Sequence, residues 1–194
     1  DDAIRLMKSG ALSAFDLSKE SAQVRESYGE DRFGQGVLLA RRLVERQVRF
    51  VEVQLGGWDT HQNNFSRVPE QGAILDQALS ALLADLEQRG MLEETLVVLA
   101  TEFGRTPNIN VNDGRDHYPK AFSCMLAGGG IKGGQVWGET DQEGREVIDQ
   151  KVEIPDLNAT IAFTLGLPLD EIVYSPTRRP FTLSDKGKPI TQLI

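Results

Sequence analysis

The sequence predicts a three-layer α/β/α fold built on a mostly parallel sheet. Three stretches carry that prediction. In Phe50–Leu55, Val51, Val53 and Leu55 alternate with Glu52 and Gln54, the period-2 pattern of a strand with one buried face. Leu96-Val97-Val98-Leu99-Ala100 is apolar throughout, as a strand covered on both faces would be. Between them, Ile74, Leu75, Ala78, Leu79, Leu82, Leu83 and Leu86 fall at helical spacing. Strand, helix, strand in this order implies a parallel pair joined by a right-handed crossover. A chain of 194 residues suits a single domain with a sizeable core, and it shows no internal repeat or linker.

The elements follow in order. Residues 1–9 read as a helix end, with Gly10 as its C-cap, and Ala11 to Leu17 as extended chain. Ser18 is a suitable N-cap for a helix through Tyr28, which Gly29 ends. A helix from Gly36 to Arg46 presents Val37, Leu38, Ala40, Leu43 and Val44 on one side. After the first strand, Gly56-Gly57 allows a sharp bend, and Pro69-Glu70 open the long helix that Gly90 ends. The loop 101–119 is polar. Phe122 to Ala127 reads as a third strand, and Gln135–Gly138 as its hairpin return past a glycine-rich turn. Residues 139–152 read as an exposed excursion, Pro155 starts a further helix, and the stretch 168–194 reads as irregular.

Composition narrows the function classes. The chain is 40% hydrophobic and 26% charged, ordinary for a globular protein. A net charge of −8, with a pI near 4.9, argues against nucleic-acid binding through a basic surface. No apolar run is long enough to span a membrane, and no signal peptide is visible. The single cysteine, Cys124, excludes an internal disulfide. A chain that opens on Asp1 and on a helix end reads as a processed form or a fragment.

Three short loops hold most of the plausible chemistry. Asp59 and His61 follow the first strand, Thr101, Glu102 and Arg105 the second, and Arg115, Asp116 and His117 precede the third. His61 and His117 are the only histidines. Loops at the carboxyl ends of parallel strands share one sheet edge, and loop 108–119 is long enough to reach it. Two imidazoles and carboxylates meeting there suit a divalent ion, Zn²⁺ ahead of Mn²⁺. Each group also has a plain structural role: Asp59 and His61 can satisfy each other, and Glu102 and Arg105 can form an ion pair. Gly128-Gly129-Gly130-Ile131-Lys132-Gly133 matches GxGxxG, but a strand-like stretch follows where a dinucleotide site needs a helix. It is read as a hairpin. No GxSxG elbow is present, which argues against a standard serine hydrolase.

The runs Val51–His61, Thr101-Glu102-Phe103-Gly104-Arg105-Thr106-Pro107 and Gly114-Arg115-Asp116-His117-Tyr118-Pro119 occur in the order found in DUF1501, a bacterial family often labelled sulfatase-like. The chain resembles that family, which is similar to the alkaline phosphatase superfamily. The resemblance implies an alkaline phosphatase-like core and a metal-dependent hydrolase of phosphate or sulfate esters. It implies that Asp59, His61 and His117 ligate one ion with Glu102 nearby. Phe103 stands where an imidazole of a second ion's site is usual. Arg105 would clamp the anionic group, with Thr101, Arg115 and Asp116 in support. The nucleophile lies upstream in that superfamily, so the chain reads as the carboxyl-terminal part of a longer domain, without turnover alone. Family members often carry a twin-arginine export signal, implying a periplasmic or extracytoplasmic home. The implied partner is a small anionic ester. The competing reading is a non-catalytic binding or interaction module on the same fold.

Overall fold

In a computed structural model, which describes residues 10–194, the longest element is a helix of 25 residues, Asn64–Gln88. The expected helix end over residues 1–9 lies outside the described residues. The chain divides into two units. One runs up to Arg89 and includes Ile109–Arg115, and the other comprises Gly90–Asn108 and Asp116–Ile194.

The first unit is helical. A 3-10 helix, Gly10–Phe15, occupies the stretch expected to be extended, and a second short 3-10 turn, Leu17–Lys19, follows it. Helix α1 is Ala22–Ser27, and its N-cap is Ser21 rather than Ser18, with Ser21 Oγ accepting from Val24 N at 3.2 Å. Helix α2 is Arg32–Glu45. Asp31 caps it by accepting from the Phe33 and Gly34 amides at 2.8 and 3.0 Å, so it starts a turn before Gly36. Helix α3, Asn64–Gln88, likewise begins before Pro69, which the helix carries inside its second turn. Tyr28, Val37, Leu38 and Ala78 form the buried core, with Val24, Phe33, Val53, Ala81 and Leu82 packed against it. Ala78, Ala81 and Leu82 of α3 therefore pack against the core side chains of α2.

Beside this apolar core lies a buried ionic cluster. Arg41, with its side chain fully buried, pairs with Glu20 at 3.0 Å, Glu45 at 2.7 Å and Asp85 at 2.8 Å. Tyr28 donates to Asp85 at 2.9 Å, and Arg89 pairs with Asp85 at 2.6 Å and with Glu45 at 2.5 Å. Arg42 pairs with Glu20 and donates to the Ala14 and Ser13 carbonyls at 2.8 Å each. These bonds fasten the 3-10 helix to α2. Burial acts to raise the Asp85 carboxyl, but hydrogen bonds from Arg89 and Tyr28 and the charge of Arg41 outweigh it and hold it below its ordinary value. Glu20 is also held low, with Arg41 and Arg42 outweighing its desolvation.

The second unit overturns the expected sheet. Strand β1, Val97–Leu99, pairs antiparallel with β4, Met125–Ala127, in the register Val97↔Ala127 to Leu99↔Met125. Strands β2, Gly104–Arg105, and β3, His117–Tyr118, form a second antiparallel pair. Strands β5, Glu139–Thr140, and β6, Val147–Asp149, make a hairpin of the expected exposed excursion. Strands β7, Ile172–Tyr174, and β8, Pro180–Thr182, pair in the stretch read as irregular. Among the described residues every sheet is two-stranded and antiparallel, so neither a parallel three-layer sheet nor an alkaline phosphatase-like core is present. Phe50–Leu55 is not assigned as a strand, although Val51, Val53 and Leu55 are half-buried and Glu52 and Gln54 exposed. The hydrophobic pattern marks which face is covered and is silent about the partner and its direction. Val98, expected to be covered, is 39% exposed.

Helix α4, Ile154–Thr164, appears where Pro155 predicts it. The Lys188 amide donates to Asp156 Oδ1 at 2.8 Å and the Ile190 amide to Thr160 Oγ1 at 3.0 Å. These two bonds seat the chain's last stretch on the helix. No described helix is long and apolar enough to cross a membrane.

Candidate metal centre

The first ligand loop is built around a buried threonine. Gly57 adopts φ +95°, a conformation that favours glycine, and its carbonyl accepts from Arg67 Nη2 at 3.2 Å. The Thr60 amide turns back to the Trp58 carbonyl at 2.8 Å, and Thr60 Oγ1 donates to Asn64 Oδ1 at 2.7 Å. Thr60 and Asn64 are both buried, so the residues on either side of Thr60 face outward. Those residues are Asp59 and His61, and Asp59 Oδ1 lies 3.1 Å from His61 Nε2.

Loop 109–115 is clamped onto this turn. The Asn63 and Asn64 amides donate to the Asn112 and Asp113 carbonyls at 3.2 and 2.8 Å. Asn110 Nδ2 donates to the His61 carbonyl at 3.0 Å, while Asn110 Oδ1 accepts from the Asn112 and Gly114 amides at 2.9 and 3.0 Å. A Cβ at Gly114 would lie 2.0 Å from the His61 carbonyl, so only glycine fits there. The Arg115 amide then donates to the Thr60 carbonyl at 3.0 Å.

His117 follows two residues later, in β3 opposite Arg105 of β2. Directly opposed residues of an antiparallel pair project on the same face. The Phe103 ring packs on the His117 imidazole, with centroids 4.3 Å apart. The Thr106 amide donates to the Asp116 carbonyl at 2.9 Å, and the Asp116 amide to Thr106 Oγ1 at 3.1 Å. Tyr118 donates to the Arg145 carbonyl at 2.9 Å.

The Arg115–Thr60 bond decides what His117 can reach. Thr60 separates Asp59 from His61, and two residues of chain span at most about 7 Å. Asp59, His61 and His117 each offer one ligand atom, and these atoms lie within 4.8 Å of one another. The three ligands converge, but for a different reason from the parallel sheet edge the sequence suggests: one loop is hydrogen-bonded to another.

The family model described as "Protein of unknown function (DUF1501)" matches residues 1–194. The chain belongs to the DUF1501 family. No curated protein and no solved structure matches it.

In this DUF1501 chain the donor set is one carboxylate and two imidazoles, which fits a divalent transition metal. Glu102 is exposed and stands outside the group of three. Thr101 Oγ1 donates to the Phe103 carbonyl at 3.1 Å, a local turn contact. Sequence reasoning missed the residues that hold the ligands in place: Thr60, Asn64, Asn110 and Gly114. The signal for Asn110 was its place in a run of Asn and Asp before a glycine, where side chains bond backbone amides two residues on.

Proposed function

We propose that this DUF1501 chain binds one divalent ion, Zn²⁺ ahead of Mn²⁺, through Asp59, His61 and His117, and holds there a phosphate or sulfate ester. The grouping of three ligand atoms within 4.8 Å carries this reading. Three protein ligands leave coordination positions open, as in catalytic rather than structural zinc sites. An ion held there would polarise an ester oxygen and lower the pKa of a bound water. The chain's own groups supply the rest. Asp59 and the two imidazoles orient through the Thr60 turn and the Asn110 loop. Arg105, paired with His117 across the β2–β3 ladder, offers a guanidinium that matches two oxygens of an anionic group. Packing of Phe103 limits rotation of the His117 ring.

One observation favours a second reading, a module that binds the anion without hydrolysing it. Phe103, where the superfamily resemblance places a ligand for a second ion, packs on His117 and has no metal-binding atom. The test begins with elemental analysis of protein purified without chelator. About one ion per chain is expected, lost in His61→Ala and in His117→Ala. Hydrolysis of p-nitrophenyl phosphate and sulfate is then assayed. Turnover abolished by His61→Ala and Arg105→Ala supports the hydrolase, and metal-dependent phosphate binding without turnover supports the binding module. Protein that takes up no metal sinks both.

A further inference from the structure

The second unit holds an open cavity that shares no residue with Asp59, His61 or His117. Its volume is about 390 Å³, at the small end of the roughly 300–1,000 Å³ of small-molecule sites. Leu169, Asp170, Thr182, Ser184, Lys186 and Lys188 line it, all within that one unit.

The turn that forms one wall is held in place. The Gly187 amide donates to the Ser184 carbonyl at 2.8 Å, and the Lys188 amide to Asp156 Oδ1 of α4 at 2.8 Å. A Cβ at Gly187 would lie 1.9 Å from the Pro155 carbonyl oxygen, so the turn sits directly on the start of α4. The lining side chains therefore project from backbone that is already ordered, which lowers the entropy lost when a ligand enters.

The lining has a definite chemistry. The chain carries a net charge of −8, and Lys120 and Lys151 pair with Glu146 and Glu153 at 2.6 and 2.7 Å. Lys186 and Lys188 form no ion pair among the described residues. Two ammonium groups without a carboxylate partner suit an anion, and each brings three donors on a flexible stem, as phosphate oxygens require. Ser184 is only 3% exposed, and its hydroxyl has no hydrogen-bond partner among the described residues. Buried hydroxyls are seldom left unpaired, and here the cavity is where a partner can arrive. Asp170 adds a different demand. Its carboxylate repels an anion but accepts hydrogen bonds from hydroxyl groups.

We propose that this cavity binds a small phosphate ester that carries free hydroxyl groups. Lys186 and Lys188 hold the phosphate, Ser184 donates to it, and a hydroxyl of the ligand donates to Asp170. Leu169 lies against the carbon skeleton. The site goes beyond the metal reading and does not depend on it.

The experiment is calorimetric titration of the chain with glycerol 3-phosphate, inorganic phosphate and glycerol, in the presence of EDTA so that no metal contributes. Saturable binding of glycerol 3-phosphate is expected, about 10-fold tighter than inorganic phosphate and with glycerol silent. A Lys186→Gln, Lys188→Gln double variant is expected to weaken it at least about 10-fold, and Ser184→Ala about 3-fold. Both lysines are exposed, so their replacement removes no packing, and an unchanged melting temperature checks this. Asp170→Asn is expected to narrow the preference over inorganic phosphate to within about 3-fold. No saturable binding overturns the inference, and so does a double lysine variant that binds as the unaltered chain does. Binding that appears only without EDTA and is lost in His61→Ala assigns the phosphate to the metal centre, which overturns this inference and leaves the metal reading standing. Binding in EDTA by a chain that takes up no metal supports this inference and removes the other.

Discussion

A methyl group at position 114 has nowhere to go, since it would meet the His61 carbonyl carbon and oxygen at 2.0 Å. The close approach of loop 109–115 to the ligand turn therefore depends on one missing side chain. Gly114→Ala is expected to push the loop away and weaken zinc binding by at least about 10-fold, measured by competition with a chromogenic chelator. Partners that orient metal ligands typically contribute 10–100-fold to affinity. Asn110→Ala removes the bond to the His61 carbonyl and two bonds within the loop, and a loss of similar size is expected. Retention of full affinity by both variants would show that the ligands do not depend on the clamp.

At the scale of elements, the decisive contact is α2 on α3. Leu38 is fully buried in this contact, with Val37, Ala78 and Tyr28 around it. Leu38→Ala is expected to cost about 2–5 kcal/mol in chemical denaturation, as buried leucines generally do. Leu82, which the sequence pattern places on the same face, is only partly buried and belongs at or below the low end. The entry to α2 is just as constrained. A Cβ on Gly34 would lie 2.0 Å from the Tyr28 carbonyl. Gly34→Ala should thus destabilise the protein, although alanine is favoured over glycine inside a helix by about 1 kcal/mol. A raised melting temperature in that variant would contradict the packing described.

For the molecule as a whole, the buried ionic cluster sets the response to acid. Asp85 and Glu20 titrate below their ordinary values in the folded chain, so the unfolded chain binds protons more readily. Their contribution is fully present above the unfolded values, roughly pH 4–4.5, and is lost as pH falls through the lower folded values. The melting temperature is expected to be flat from about pH 8 to 5 and to fall steeply below about pH 4. Arg41→Met leaves Glu20, Glu45 and Asp85 without the cation they share. A loss of about 3–5 kcal/mol is expected at neutral pH, because the acids stay partly buried. The same variant should show a shallower acid limb, since the carboxyls would no longer be held as low. An unchanged limb would mean that other groups govern acid unfolding.

Local patterns were enough to locate the longer helices, two strands and the three candidate ligands. Helical spacing placed α2, α3 and α4, and the apolar runs placed β1 and β4, because periodicity reports which side of an element is covered. His61 and His117 stood out as the only imidazoles, and Asp59 by its place beside one of them. Strand partners were not legible. Val97–Leu99 has the same composition whether its neighbour is parallel or antiparallel, and a run read as doubly covered proved open at Val98. Nor could spacing show why Asp59, His61 and His117 meet. That outcome depends on Asn110, Gly114 and the Arg115–Thr60 bond, contacts between residues about 50 positions apart. The sequence determined the kind of candidate ligand and the faces of the helices, since both are properties of side chains and their local period. Strand direction and the convergence of the ligand loops were left to the tertiary structure, because each depends on hydrogen bonds that distant backbone groups form only once the chain has folded.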